Sequence, residues 1–305
     1  MMTRVVRYAI CSRRLWSVVL FILWCVPLAR AQDAVSLKAH HAALLEQLAS
    51  NQFQRPIYLE SSENAEFIKG DIYAELQQPY AVVASALENG DHWCDIFILH
   101  INVKDCVTSV RGGRKILSIN IGRKSDQPLS DTQLVEFVYR VVAAGSDYLQ
   151  MELKAEKGPL GTSNYRIALQ VTALDAQHSY LHMSYSYAYG NVARVAMLGY
   201  LATIGRNKVG FSIPAINSRG QPTYVGGMRG VVERNTMRYY LAVEAYLGAL
   251  STPMPAQIEK RLNDWYAGIE RYPLQLHELE RDEYLDLKRR EILRQQLPDS
   301  SAGTK

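Results

Sequence analysis

Cysteine is scarce in this 305-residue chain, with four in all: Cys11, Cys25, Cys94 and Cys106. None forms a CxxC pair and no histidine stands at ligand spacing beside one, so a tetrahedral zinc site has no support in the sequence. Nucleophile signatures are missing as well. There is no GxSxG elbow and no HExxH, and the glycines match neither the P-loop nor the dinucleotide fingerprint. No pair of carboxylates is singled out, although acid–base groups can converge from distant strands. No internal repeat and no low-complexity tract occurs, and no cofactor is implied.

A long apolar run is present only near the start. Arg4, Arg7, Arg13 and Arg14 precede an apolar core over 15–29, interrupted by Ser17 and Pro27, and Ala29-Arg30-Ala31 is a small-x-small step. This predicts a signal peptide, residues 1–31, cleaved after Ala31, and hence a periplasmic or secreted protein. The core falls short of the roughly 18 residues of a spanning helix, so no stable membrane span is expected after cleavage. Removing it takes away five arginines and no acid, which turns 34 basic against 30 acidic residues into 29 against 30. A near-neutral chain argues against nucleic acid or an anionic membrane as an electrostatic partner. Export also changes what Cys94 and Cys106 mean: the two remaining thiols read as one disulfide across a short loop.

Beyond the leader, 34–52 has helical spacing through Leu37, Leu45 and Leu48. Segments 57–59 and 67–76 read as strands, the second running through Gln77-Gln78-Pro79 into an apolar helical pattern at Tyr80, Val83, Ala84 and Leu87. A shorter helix with Trp93 and Cys94 follows. Five segments then alternate with period two, over 115–123, 135–143, 148–155, 163–173 and 177–189, separated by turn-rich breaks such as Gly145-Ser146-Asp147. They predict an antiparallel meander with one apolar face and one polar face. A helix is expected over 191–204 and a short strand over 205–213. A long amphipathic helix is expected over 231–250, with Val232, Tyr239, Val243, Tyr246 and Leu250 on one face and Glu233, Arg234 and Arg238 off it. Residues 256–271 and 276–296 are helical and charged.

This order, with the opening DIYAEL strand, QQP turn and YAVVASAL helix, resembles the START-like superfamily of helix-grip proteins, which includes polyketide cyclases and lipid-transfer proteins. The resemblance covers about 67–250. It implies an α+β fold in which a curved antiparallel sheet grips a long C-terminal helix around an apolar cavity. The surrounding organisation would be a helix and lead-in strand over 32–66, a peripheral helical tail over 251–297, and disorder over 298–305.

Tyr185, Tyr187 and Tyr189 share one strand face with Met183, and tyrosine joins an apolar body to a polar tip, as an amphipathic ligand requires. Tyr239 and Val243 would face them from the helix. Arg234 and Arg238 follow the GGMRG loop, where glycines and a helix N-terminus suit an anionic headgroup; the same glycines also suit a tight turn or close packing. His100, Asn102 and Lys104 form either a cavity-facing polar set or a satisfied loop. His178 and His182 share the polar strand face, and no third metal ligand accompanies them. The composite expectation is an exported binding protein for a hydrophobic, lipid-like small molecule. An enzyme of the same fold, a cyclase or hydrolase, is the first alternative. A non-catalytic envelope assembly protein with an unidentified protein partner is the second.

Overall fold

The computed structural model describes residues 26–190 and 208–296, with Arg194, Val195 and Gly199 between them. The helix expected at 191–204 lies almost wholly outside the described residues, as does the tail 298–305. Side chains are described from Asp33 onward.

Two helices come first, α1 (Val26–Ala43) and α2 (Leu45–Ala49), then strands β1 (Ile57–Glu63) and β2 (Phe67–Leu76). The helix pair α3 (Tyr80–Glu88) and α4 (His92–Phe97) interrupts the sheet. Six strands follow: β3 (Val103–Arg111), β4 (Arg114–Ile121), β5 (Gln133–Ala144), β6 (Tyr148–Lys157), β7 (Thr162–Ala173) and β8 (Ser179–Tyr189). All eight form one antiparallel sheet in the order β1-β2-β8-β7-β6-β5-β4-β3. The first strand of the grip therefore pairs with the last, Gly70 opposite Tyr185 and Ile72 opposite Met183. Bulges in β5 between Val141 and Ala143 and at Ser163/Arg166 of β7 bend the strands. Gly112 and Gly113, both at positive φ (56° and 72°), make the two-residue turn between β3 and β4.

The fold is thus α+β, as expected, with the strand β3 as an addition. Its alternation is masked in the sequence because Lys104 and Asp105 are buried along with Val103 and Cys106. Residues 208–213 run without a strand, while the polar loop after them holds a two-residue ladder, β9 (Ala215–Ile216) with β10 (Pro222–Thr223).

The long helix α5 (Gly227–Gly248) lies across β1, β2 and β8 on the inner face. The closest approach is at Gly70, where an added Cβ would stand 2.4 Å from Thr236 Oγ1. The one-sided amphipathic pattern expected of α5 is corrected by its burial. Glu233, Arg234 and Arg238 are as buried as the apolar face. The cause is a second cover: α6 (Met254–Glu270) and α7 (Pro273–Leu276) pack on the side of α5 away from the sheet. The last helix, α8 (Arg281–Gln296), packs on β3 and α6 and buries Tyr284, Leu285, Leu287, Lys288 and Glu291. Lys288 Nζ donates to the carbonyls of His100 (2.8 Å) and Val103 (2.7 Å) and to Glu291 (2.7 Å), whose other oxygen takes Lys104 at 3.0 Å. Such buried charges persist only when paired and hydrogen-bonded.

The Cys94–Cys106 disulfide joins α4 to β3, with its Cα atoms 5.2 Å apart. On the outer face, α1 and α2 bury Ala34, Leu37 and Leu48 against Tyr73, Tyr148 and Tyr180. Helix α1 runs through the expected cleavage step at Ala31, and its described buried residues, Ala34 and Leu37, lie beyond it. Among the described residues no helix is long and apolar enough to cross a membrane.

Candidate functional site

Strand β8 turns Met183, Tyr185, Tyr187 and Tyr189 inward, and all four are buried. Period-two geometry puts them on one face, and the β7 partner strand brings Tyr165 beside them. Tyr165 stacks on Tyr187 with centroids 5.0 Å apart and touches Tyr185 at 6.1 Å. From α5, Tyr239 meets Tyr185 at 5.3 Å and stands edge-on to Phe97 at 5.6 Å. Phe137 of β5 completes the ring against Tyr165 and Phe97. The structure thus brings Tyr185, Tyr187 and Tyr239 into one aromatic lining between sheet and helix. Tyr189 sits at its edge, its hydroxyl donating to Glu63 (3.0 Å) and the Asn64 carbonyl (2.8 Å). Val243 is buried one turn beyond Tyr239.

Two members of the lining stand apart. Tyr165 and Tyr239 point into the grip yet stay partly accessible, unlike their neighbours. Gly158 leaves room for the Tyr165 ring, since a Cβ there would come within 2.1 Å of it. Burial raises the Tyr239 and Tyr165 hydroxyls above the ordinary tyrosine range, so both are neutral phenols that can donate or accept.

His100 lies against this lining, its ring 4.8 Å from that of Tyr239. It is buried, and burial, followed by the charges of Arg238, Lys288, Lys124 and Lys104, holds it well below the usual histidine range and therefore neutral. Its Nδ1 accepts from the Asn102 amide at 3.2 Å, which puts the ring proton on Nε2. That Nε2 has no hydrogen-bond partner among the described residues. A buried donor left unsatisfied costs about 1–3 kcal/mol. Asn102 donates to the Gly122 carbonyl at 2.8 Å, and Lys104 is spent on Glu291. Of the three polar residues after α4, His100 alone belongs to the lining.

Arg234 and Arg238 sit one turn apart on α5, both 4% exposed. Arg234 donates to the Val209 carbonyl at 3.1 Å, and Arg238 reaches Glu278 at 2.7 Å. Glu278 also takes Lys124 at 2.6 Å and Lys208 at 3.4 Å. Burial pulls Lys124 down to about 8, against the opposing pull of Glu278. The glycines in the first turn of α5 serve the chain path. Gly227 adopts positive φ (62°), and a Cβ on Gly230 would crowd the Gly210 amide. Glu233 then fixes the same crossing, accepting from the Phe211 amide (2.6 Å), the Ser212 amide (2.9 Å) and the Ser61 hydroxyl (2.6 Å).

His178 and His182 do not converge. His178 pairs with Asp175, while His182 is held between Asp71 (2.8 Å) and Gln170 (2.9 Å). The face expected to meet solvent at His182 is partly covered by α1, and Tyr73 is stacked between His182 (4.3 Å) and His40 (4.5 Å). Among the described residues no three His, Cys, Asp or Glu side chains gather as metal ligands would. Lys124, Lys208 and Glu278 carried no signal in the sequence, because three distant segments supply them. Tyr165 was visible in the alternation of its strand.

Sheet, helix pair and covering helix make this an α+β fold, one eight-stranded antiparallel sheet packed against a long C-terminal helix. The structural neighbours are START/Bet v1-like proteins, all distant. Norcoclaurine synthase from Thalictrum flavum is 13% identical, with 48% of this chain and 90% of that one covered and a TM-score of 0.31. The Zhui aromatase/cyclase from Streptomyces sp. R1128 is 12% identical over 49% and 86%, with a TM-score of 0.31. Human StAR-related lipid transfer protein 5 is 8% identical over 57% and 90%, with a TM-score of 0.30. No protein-family model and no curated protein matches the sequence.

Proposed function

We propose that the chain is an exported binding protein for a hydrophobic or amphipathic small molecule, held between the sheet and α5. The observation that carries this reading is the partial accessibility of Tyr165 and Tyr239, two inward-facing rings in an otherwise closed lining. Water in contact with aromatic surface there would be released by an apolar guest, at roughly 25 cal/mol per Å² buried. Export is supported by the basic, apolar and small-x-small sequence of the first thirty-one residues, and by a disulfide suited to an oxidising compartment.

Native mass spectrometry of protein purified from cells tests the binding. A mass adduct released by organic solvent is expected. Tyr239→Trp, which adds bulk between Phe97 and Tyr185, should reduce it at least several-fold while leaving the thermal midpoint near wild type. Wild-type protein that carries no adduct, and takes up no medium-chain alcohol when offered it, would end the reading.

One observation favours a second reading, an enzyme of this architecture: the neutral His100 with an unengaged Nε2–H beside Tyr239. Such a donor could polarise a carbonyl or hydroxyl of the guest. Recovering a guest chemically altered after incubation, rather than intact, would favour it over simple binding.

A further inference from the structure

The two edges of the sheet are built differently. Strand β1 carries exposed Glu60 and Glu63, follows Pro56, and turns its Ser61 hydroxyl to Glu233. Charge and proline are common defences of an open edge. Strand β3, at the other end of the strand order, is covered only over its first half. There α8 supplies side chains where a neighbouring strand would supply backbone: Gln295 Oε1 takes the Cys106 amide at 3.1 Å, and Arg294 donates to the Lys104 carbonyl at 2.8 Å. Beyond Cys106 that cover ends. Arg111 and Arg114 flank the two-residue turn as a pair, so Arg111, Ser109 and Val107 bond inward to β4. The amides and carbonyls of Thr108 and Val110 therefore point outward, as the Cys106 amide does, and among the described residues the two amides have no acceptor. Val107 and Val110 are 51% and 68% exposed, and Arg111 is held by Glu136 of its own sheet.

We propose that a second copy of this chain pairs with β3 edge to edge, making one continuous sheet across a two-fold axis at Ser109. An antiparallel ladder sets outward-facing residues opposite one another. Centred on Ser109, Thr108 of each copy meets the partner's Val110, and each pair exchanges amide and carbonyl. Val107 then lies opposite the partner's Arg111 and covers its aliphatic stem. No like charges stand opposite, and the β-branched cross-strand pairs are favourable. Shifting the centre to Thr108 would set Cys106 against the partner's Val110 and displace Gln295; shifting it to Val110 would set Thr108 against the turn at Gly112. The open stretch and the self-complementary stretch thus coincide. The competing occupant is segment 297–305, which follows α8 where Gln295 meets Cys106. It carries Pro298, Asp299 and Gly303, residues poorly suited to a strand. The contact with a second copy is isologous, so it closes on itself and leaves neither β3 edge open.

Sedimentation velocity of the purified protein from about 5 to about 500 μM tests this, and a ladder this short should give half-dimerisation on the order of 10–100 μM. Val110→Lys, which puts a charge on the open edge, should raise that midpoint about tenfold or more. Val107→Lys, which sets a cation opposite the partner's Arg111, provides the second test if Val110→Lys folds poorly. Hydrogen exchange gives an independent reading. The Thr108 and Val110 amides should slow as the dimer forms, whereas the Ser109 amide, bonded to β4, should be slow in the monomer as well. A chain that stays monomeric at about 500 μM overturns the proposal, whether those two amides exchange quickly or are already slowed by segment 297–305. A dimer whose midpoint neither lysine variant moves overturns it too, because the contact then lies elsewhere on the molecule.

Discussion

Gly70 sets how tightly the helix sits on the sheet. Any side chain there meets Thr236 Oγ1, which is itself committed to the Val232 carbonyl at 2.8 Å. Gly70→Ala is therefore expected to destabilise the protein by about 1–3 kcal/mol through overpacking. Adding Thr236→Ala should return most of that loss, since the clashing oxygen is gone. Urea unfolding of the single and double variants measures both, and a strictly additive pair would show that the two positions do not touch. The need for glycine was not visible in the sequence, because Gly70 lies mid-strand, where nothing local demands it. The tyrosines of β8 were visible, because period-two alternation fixes their face before any partner is known. Lys124, Lys208 and Glu278 lie between these cases: ordinary surface charges in sequence, joined only by tertiary folding.

At the scale of elements, the disulfide fastens the α3–α4 pair to the far edge of the sheet. The bridge spans 12 residues of sequence. A loop of that size is worth about 3 kcal/mol in the chain-entropy model. Cys94→Ala with Cys106→Ala should lower the free energy of unfolding by about that amount, read from urea midpoints. An unchanged midpoint would mean that the unfolded chain already holds this loop closed. The pairing was readable from cysteine count once export was expected from the sequence, and the strand that carries Cys106 was not. Strand β3 hides because α8 covers it: Lys104 is buried with Glu291, and the Cys106 amide donates to Gln295 Oε1 at 3.1 Å. A charged residue in a strand reads as solvent-facing until a distant helix supplies its counter-charge. The same reason blurred α5, whose polar residues Glu233 and Arg238 are paired by segments on either side of it.

For the whole molecule, one buried amine, Lys288, and one half-buried amine, Lys124, shape the response to pH. Burial holds Lys288 and Lys124 down to about 8 in the folded state, against roughly 10.4 for an unperturbed lysine. Between these values the unfolded chain binds more protons than the folded one, so stability rises with pH in that window. The cost of keeping both amines charged is present in full below about pH 8. Tyrosines act oppositely above about pH 10. Burial pushes Tyr185, Tyr240 and Tyr284 well above the ordinary range, so the folded protein keeps protons that the unfolded chain has lost. The urea midpoint should therefore be higher near pH 9.5 than near pH 7.5, and fall again near pH 11. A midpoint that declines steadily from neutrality would contradict the desolvated, charged state of Lys288 and Lys124.

The pairing of β2 with β8 also has a consequence for how the protein is made. Strands β3 to β8 are joined as successive hairpins, and each can find its neighbour soon after it is synthesised. Strand β2 cannot: Ile72 must wait for Met183. At about 5–20 residues per second, synthesis alone separates the two by an interval on the order of ten seconds. During it β2 presents Ile68 and Ile72 and an open edge to its surroundings, the condition under which nascent strands aggregate or recruit chaperones. The helix α5, which finally covers them, arrives later still.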